Sequence, residues 1–271
     1  MIVSYSTKPE PLFQRRNQAD SSHTFGVELE IEDGRSRDQL VNELDRLGLP
    51  IYQKLDGSLH ECGLEIITHP GTLAWHRYTM RWAEVSRLCR ALGWHSDDSE
   101  NCGLHIHVGR ATLGDTIPDQ RLTAAKLVLL VNALWDNGLV TFTRRKPREL
   151  EWCNRPRIRD VYGVVALRDE ALRAGGQGLG HSARYTAVNL TNTGTVEFRI
   201  FKGTLKRERL MAAMELVDTL IHYAMHHTLP ECDDPNLTLA EVVTYGGYGT
   251  SYKELVKECQ RLGLLPAESA E

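Results

Sequence analysis

Three short segments of the sequence alternate between apolar and ionisable residues, and the ionisable residues could hold a divalent cation. The segments are FGVELEIE at 25–32, LHIHV at 104–108 and TVEFRIF at 195–201. Residues two apart on a β-strand point to the same face, so each segment would have one apolar face for a core and one charged face. The charged faces carry Glu28, Glu30, Glu32, His105, His107, Glu197 and Arg199.

A strand face that is simply solvated is common in antiparallel sheets, and it is the plainer interpretation of any one of these segments. Across the three segments, however, glutamate dominates the charged positions and lysine does not occur among them. Clustered carboxylates repel one another and raise one another's pKa, and a divalent cation relieves that repulsion. Carboxylate oxygens with an occasional imidazole suit Mg²⁺ or Mn²⁺.

Zinc is the competing metal for His105 and His107, with Cys102 close by in the sequence. Catalytic zinc sites usually gather three protein ligands that are rich in His or Cys. We favour the harder cation because the other candidate ligands are mostly carboxylates. A pair of structural histidines is the alternative for the HxH motif taken alone.

Two further carboxylates and one arginine fit the same chemistry. Asp56 lies in a turn within KLDGS at 54–58, and Glu65 lies on an alternating segment. Arg184 begins RYTAVN at 184–189 and could form two parallel hydrogen bonds to a phosphate or a carboxylate. The alternatives are an exposed strand glutamate for Glu65 and a surface salt bridge for Arg184.

Hydrophobic periodicity predicts the elements that must position these residues. Strands are expected at 25–32, 51–54, 64–68, 104–108, 184–190 and 195–201, and a glycine-rich loop at 174–180. Helices are expected at 36–47, 72–92, 119–136, 206–227, 238–244 and 251–263. This pattern predicts an α+β fold with a mostly antiparallel sheet and helices packed on one face. We expect residues 1–23 to form a flexible N-terminal arm and residues 24–265 a single domain.

Composition narrows the class of protein. The chain has 271 residues and a formal net charge of −4, which argues against a nucleic-acid binder, since phosphate contacts normally need a basic surplus. We find neither an apolar run of about 18 residues, the length of a membrane span, nor a secretory signal. The six cysteines are widely spaced and form no CxxC pair. We therefore expect a cytoplasmic protein with reduced thiols.

Six motifs in this order resemble the amidoligase family, a relative of the carboxylate–amine ligases glutamine synthetase and glutamate–cysteine ligase. They are GVELE at 26–30, DGS at 56–58, GLEI at 63–66, GLHIHV at 103–108, RYTAVN at 184–189 and TVEFRIF at 195–201. The ordered series is far more specific than any single motif. The resemblance covers residues 25–202, and the C-terminal helices carry no family motif.

The resemblance implies a domain like the catalytic domain of glutamine synthetase, in which a curved sheet holds metals and ATP on its concave face. It implies an ADP-forming ligase that joins a small-molecule or peptide carboxylate to an amine, with Mg²⁺ or Mn²⁺ as cofactor. The metal ligands by position are Glu28, Glu30, Glu65, His105 and Glu197. Lys54, His107 and Arg199 are assigned to the nucleotide. Arg184, Arg199 and Glu197 are assigned to catalysis, with Arg184 facing the transferred phosphoryl group.

Two other classes of function stay open at this point. A metal-dependent hydrolase or nuclease could use the same carboxylates, but it would leave Arg184 and Arg199 without a phosphate unless its substrate is a phosphoester. A binding module that kept the fold without activity would not need all six motifs. A requirement for ATP with Mg²⁺ distinguishes the ligase from the hydrolase.

Overall fold

A computed structural model describes residues 2–3, 9–17, 23–59, 63–156, 185–245 and 251–267 of the chain. The chain divides into two compact units. The first unit comprises Met1–His107 with Phe201–Met211, and the second comprises Val108–Ile200 with Ala212–Glu271.

The first unit contains a sheet whose strands match the period-two segments of the sequence. The strands are β1 (Ile2–Val3), β2 (Thr24–Ile31), β3 (Ile51–Lys54), β4 (Leu64–Thr68), β5 (Gly71–Thr72) and β6 (Gly103–Gly109, its last two residues in the second unit). Their order is β1-β3-β4-β2-β6, and β5 pairs with β2. The pairs β3–β4, β4–β2 and β2–β5 are antiparallel, while β1 and β3 are parallel.

The core of the first unit includes the apolar faces that the alternation predicts. Val27, Leu29 and Ile31 of β2 are fully buried, and so is Ile106 of β6. Burying such a side chain contributes about 1.5–3 kcal/mol. A one-residue slip in register would turn these side chains to the other face, so the core also fixes where the charged side chains point.

Three helices complete the first unit: α1 (Arg37–Arg46), α2 (Leu73–Tyr78) and α3 (Trp82–Ala91). The helix expected at 36–47 is confirmed as α1, and the Ser36 hydroxyl caps it by accepting from the Gln39 amide. The prediction of one long helix over 72–92 is wrong. The amides of Thr79 and Met80 both donate to the Trp75 carbonyl, which closes α2, and Arg81 has a non-helical ψ of 56°.

In the second unit, β7 (Val188–Asn189) pairs antiparallel with β8 (Thr195–Lys202, its last two residues in the first unit). The strands expected at 184–190 and 195–201 pair with each other, although β7 is shorter than expected. Directly after β7, the amide and the hydroxyl of Thr191 donate to Asn189 Oδ1 and turn the chain. The predicted loop at 174–180 lies outside the described residues.

The second unit also holds most of the helices. They are α4 (Ile117–Leu134), α5 (Val140–Thr143), α6 (Arg207–His226, which starts in the first unit), α7 (Leu229–Cys232), α8 (Leu239–Thr244) and α9 (Lys253–Arg261). In the described part of the chain, one helical stretch, 117–143, is long and apolar enough to cross a membrane. Most of it is buried inside the protein, as in the core helix of a soluble protein.

The predicted α+β class with a mostly antiparallel sheet is confirmed. The N-terminal segment has backbone partners at two places: Ile2–Val3 pairs with β3, and Gln14 exchanges hydrogen bonds with Pro70 and Thr72. The flexibility of residues 1–23 and the single domain over 24–265 stay predictions.

Candidate functional site

Cross-strand pairing in the first unit brings together charged residues of β2, β3 and β4. Glu30 lies opposite Glu65, and Glu65 lies opposite Lys54. Glu28 of β2 and Tyr52 of β3 both lie opposite Ile67 of β4, two residues along the strand from Glu65. Residues that lie opposite each other share a face, as do residues two apart, so all five belong to one face of the sheet.

Both histidines of β6 lie against these glutamates. His105 Nδ1 lies 3.3 Å from Glu28 Oε2, and His105 Nε2 lies 3.6 Å from Glu30 Oε1. His107 Nε2 lies 3.2 Å from the other oxygen of Glu28. Glu28 is therefore held between two imidazoles, and His105 contacts both predicted glutamate ligands of β2.

Asp56 adds a third carboxylate next to Glu30 and Glu65. One oxygen from each of the three residues lies within 4.8 Å of the others, which is close enough to share one cation. The backbone amide and the hydroxyl of Ser58 each donate to Asp56 Oδ1 at 2.6 Å, so the DGS turn fixes this side chain. Asp56 was not among the metal ligands that the resemblance implies, and the turn motif is the sequence signal that presents it.

The cluster is electrostatically strained without a cation. Burial, and then the charges of Glu28, Asp56 and Glu30, raise the pKa of Glu65 to about 10. Burial, Glu28 and Glu65 also raise the pKa of the Tyr52 phenol to about 12. Glu65 is thus protonated at neutral pH, and a bound cation would favour its ionised form.

The pKa of Glu28 is shifted in the opposite direction from that of Glu65. Burial alone would raise its pKa, but His107 and His105 outweigh burial through charge and hydrogen bonding and hold the pKa well below its usual value. Glu28 is therefore ionised over the whole neutral range. One cluster thus contains a charged carboxylate and a neutral one, which is typical of functional sites.

The residues present fit Mg²⁺ or Mn²⁺. Glu65 is 4% exposed and shares a side-chain hydrogen bond with Asp56, while its Oε2 is buried with no hydrogen-bond partner among the described residues. A buried acceptor without a donor is costly, and a cation would satisfy it. Oxygen-rich ligands favour a hard cation, and burial raises the pKa of the Cys102 thiol, which disfavours the thiolate that zinc would need.

Glu32 continues the alternation of β2 but has a different role. It is buried, and it accepts hydrogen bonds from the Ser99 hydroxyl and, at 3.5 Å, from the Asn101 side-chain amide. These bonds hold the turn that leads into β6. The Gly103 amide at the end of this turn donates to Glu30 Oε2, so the turn also positions a predicted metal ligand.

The second unit brings Glu197 and Arg199 together. Arg199 Nη1 donates to Glu197 Oε1 at 2.5 Å. The side-chain amides of Asn189 and Asn192 donate to Glu197 Oε2 at 2.8 and 3.1 Å. Both oxygens of this buried carboxylate are therefore engaged by donors of its own unit. Sequence reasoning missed both asparagines.

The predicted site residues fall into three groups. The first unit brings together Glu28, Glu30, Lys54, Glu65, His105 and His107 on neighbouring strands. The second unit pairs Glu197 with Arg199. Arg184 lies outside the described residues. The roles assigned to all of these residues stay predictions.

Carboxylates and imidazoles on neighbouring strands of a mostly antiparallel sheet are what the resemblance to carboxylate–amine ligases predicts. The model of the family described as "putative amidoligase enzyme" matches residues 52–221, more than half of the chain. The chain belongs to this family. The match includes five of the six motifs, and GVELE at 26–30 lies before it. A search of curated proteins finds no match.

Membership in the amidoligase family points to an ATP-dependent ligase. The recognition made from the six motifs is therefore confirmed at the level of the family.

Proposed function

We propose that this protein is an ATP-dependent carboxylate–amine ligase that forms an amide bond through an acyl phosphate and releases ADP. The observation that supports the proposal is the carboxylate–imidazole cluster of the first unit in a member of the amidoligase family. Within this cluster, Glu65 Oε2 is buried and has no hydrogen-bond partner among the described residues. The proposal includes a sheet architecture like that of the glutamine synthetase catalytic domain.

The cluster is suited to hold Mg²⁺ or Mn²⁺ through Glu28, Glu30, Glu65 and His105, with Asp56 beside them. When bound, the cation neutralises charge on the phosphates of ATP during phosphoryl transfer. Glu28 is already ionised, whereas Glu65 must release its proton to bind the cation. The His105 and His107 rings keep Glu28 ionised and limit its movement.

The reaction balances as two displacements. A carboxylate oxygen of the acid attacks the γ-phosphorus of ATP, and the bond to ADP breaks. The amine then attacks the acyl carbon, the C–O bond to phosphate breaks, and the amine loses a proton. The resemblance assigns Lys54, His107 and Arg199 to the nucleotide, Arg184 to the transferred phosphoryl group, and Glu197 to metal and phosphate.

An isotope experiment tests this reaction. A thermal-shift screen of acids and amines with ATP and Mg²⁺ first identifies a substrate pair. The acid is then labelled with ¹⁸O in its carboxylate, and the released phosphate is analysed by mass spectrometry. We expect one heavy oxygen per phosphate and ADP as the nucleotide product, with the Glu30→Gln variant as the inactive control.

Three results would overturn the proposal. Unlabelled phosphate would exclude attack by the carboxylate on phosphorus. AMP with pyrophosphate would indicate adenylation of the acid instead. Metal-dependent cleavage of an amide, an ester or a phosphoester without ATP would favour the hydrolase or nuclease.

A further inference from the structure

We infer that Asn189 is a positioning residue that fixes the guanidinium of Arg199 through the carboxylate of Glu197. The inference rests on the proposed function for what Arg199 does there, which is to contact a nucleotide phosphate. The positioning itself depends only on contacts within the second unit.

The amide of Asn189 can point in only one direction. Its Oδ1 accepts hydrogen bonds from the backbone amide of Thr191 at 2.9 Å and from the Thr191 hydroxyl at 2.7 Å. Since the oxygen end is held by two donors, the Nδ2 end must face the opposite way, toward Glu197 Oε2 at 2.8 Å. Asn189 is 4% exposed, so water cannot readily replace this bond.

The fixed carboxylate of Glu197 in turn orients the guanidinium of Arg199. Asn189 and Asn192 engage one carboxylate oxygen, which leaves the other oxygen directed at Arg199 Nη1. Amide donors are neutral, so of these three donors only the guanidinium offsets the negative charge of Glu197. A charge-assisted hydrogen bond of this kind is stronger and more directional than one between neutral groups.

The backbone of Arg199 is fixed as well. Its amide donates to the Ala187 carbonyl at 2.9 Å, and its carbonyl accepts from Arg145 Nη2 at 3.2 Å. Arg110 supports Asn192 in turn, because Arg110 Nε donates to the Asn192 carbonyl at 3.1 Å. Backbone and guanidinium are thus both held, which pre-organises the planar fork of donors that an arginine offers to a phosphate.

Two substitutions separate positioning from folding. Asn189→Asp keeps the shape of the side chain but places a carboxylate against Glu197, so the donor is lost and the two groups repel. Thr191→Ala removes only the hydroxyl that orients Asn189, while Thr191→Ser keeps it. The matched control is Asn236→Asp, which makes the same chemical change at an exposed asparagine beside Asp234.

The first measurement does not depend on activity. Side-chain NMR of ¹⁵N-arginine protein, with the Arg199 signals assigned by Arg199→Lys, reports how restricted the guanidinium is. We expect resolved, exchange-protected Arg199 Nη signals in the wild type, Thr191→Ser and Asn236→Asp. They should broaden or average in Asn189→Asp and, less strongly, in Thr191→Ala. Arg199 signals that are unchanged in Asn189→Asp would overturn the inference.

The second measurement tests the link to the nucleotide. A misplacement of about 1 Å in a catalytic constellation can cost about 100-fold in rate. We therefore expect kcat/KM for ATP to fall about 10- to 100-fold in Asn189→Asp, with an unchanged KM for the acid. It should fall less in Thr191→Ala, whose melting temperature should stay close to that of the wild type. Equal losses for both substrates, in parallel with a lower melting temperature, would indicate a structural role and overturn the inference. If the wild type does not turn over ATP while the NMR result holds, the proposed function fails and the positioning of Arg199 stands.

Discussion

Glu30 and Glu65 in the first unit and Glu197 in the second are all strand glutamates that are 4% exposed, yet their surroundings differ. Glu65 lies among other carboxylates, its pKa is raised to about 10, and its Oε2 has no hydrogen-bond partner among the described residues. Glu197 instead accepts from Arg199 and from the two asparagines. The same residue type in the same alternating pattern thus has a buried oxygen without a partner among the described residues at Glu65, and three donors at Glu197.

This difference indicates that the hydrogen-bond donors around a buried glutamate, more than its residue type, distinguish a candidate metal ligand from a residue that positions a neighbour. A bound cation would stabilise the first cluster, because its carboxylates repel one another and one buried oxygen of Glu65 has no hydrogen-bond partner among the described residues. Within its own unit Glu197 accepts from Arg199, Asn189 and Asn192, which restricts the movement of the pair. Metal ions should therefore act mainly on the first cluster, and losses of positioning mainly on the Arg199 pair.

Removing a carboxylate of the first cluster should have the largest effect. Glu28→Gln or Glu30→Gln should lower Mg²⁺-dependent ATP turnover by at least about 1000-fold, since a metal ion supplies several kcal/mol of charge stabilisation. The fold should stay intact, because each change also reduces the repulsion. Steady-state ATP turnover and the melting temperature measure the two effects. Turnover at the wild-type rate in either variant would refute the metal assignment.

Removing the guanidinium of the second unit should have the next largest effect. Arg199→Ala should lower turnover about 100- to 1000-fold, the usual effect of deleting one electrostatic stabiliser of a transition state. Stability should fall less than activity: Glu197 loses its charged donor, but the core contacts of Val196, Phe198 and Ile200 lie on the opposite face of β8. The exposed Arg148 provides the control variant Arg148→Ala. A loss of stability as severe as the loss of activity would instead identify a structural ion pair.

The features that the sequence predicted correctly are the strands, because apolar residues recur at every second position in them. The bounds of β3 and β4 match the expected 51–54 and 64–68, and the buried face of β2 is the expected one. The break between α2 and α3 was missed because Trp75, Tyr78 and Trp82 keep helical spacing across it. Periodicity reports which face is apolar and says nothing of a single non-helical residue such as Arg81.

The partners of individual carboxylates could not be predicted. Glu32 alternates like Glu28 and Glu30, but its partners Ser99 and Asn101 are far away in the sequence. The pairing of Asn189 with Glu197 depends on the register of β7 with β8, which the sequence did not specify. Tertiary pairing therefore decides which glutamate carries donors and which does not.

Addition of Mg²⁺ should raise the melting temperature through the first cluster, and this effect distinguishes that cluster from the Glu197–Arg199 pair. At 100 times its Kd, a ligand stabilises the folded state by about 2.7 kcal/mol, so Mg²⁺ should raise the wild-type melting temperature by about 5–10 °C. Glu30→Gln should lose most of this shift. Glu10→Gln, which removes an exposed carboxylate, should retain it. A full shift in Glu30→Gln would place the cation elsewhere, and a larger shift with Zn²⁺ than with Mg²⁺ would favour zinc.

The smallest effect concerns Glu65 in the absence of metal. Its pKa in the folded chain, about 10, lies above the ordinary 4.5, so the folded state binds the extra proton. The contribution of Glu65 to stability is complete below pH 4.5 and is lost progressively as the pH rises toward 10. Glu65→Gln cannot lose a proton, so without metal the variant should gain stability over the wild type as the pH rises.

At pH 7 this gain should appear as a higher melting temperature of the variant, and it should vanish near pH 4.5. Melting curves in chelator from pH 4.5 to pH 8 measure it, with Glu10→Gln as the charge-matched control. Saturating Mg²⁺ should reverse the order of the two proteins, because the cation binds the ionised carboxylate that glutamine lacks. A variant that is less stable than the wild type at pH 7 in chelator would mean that the Glu65 carboxyl has a donor of its own, and the contrast with Glu197 would then be lost.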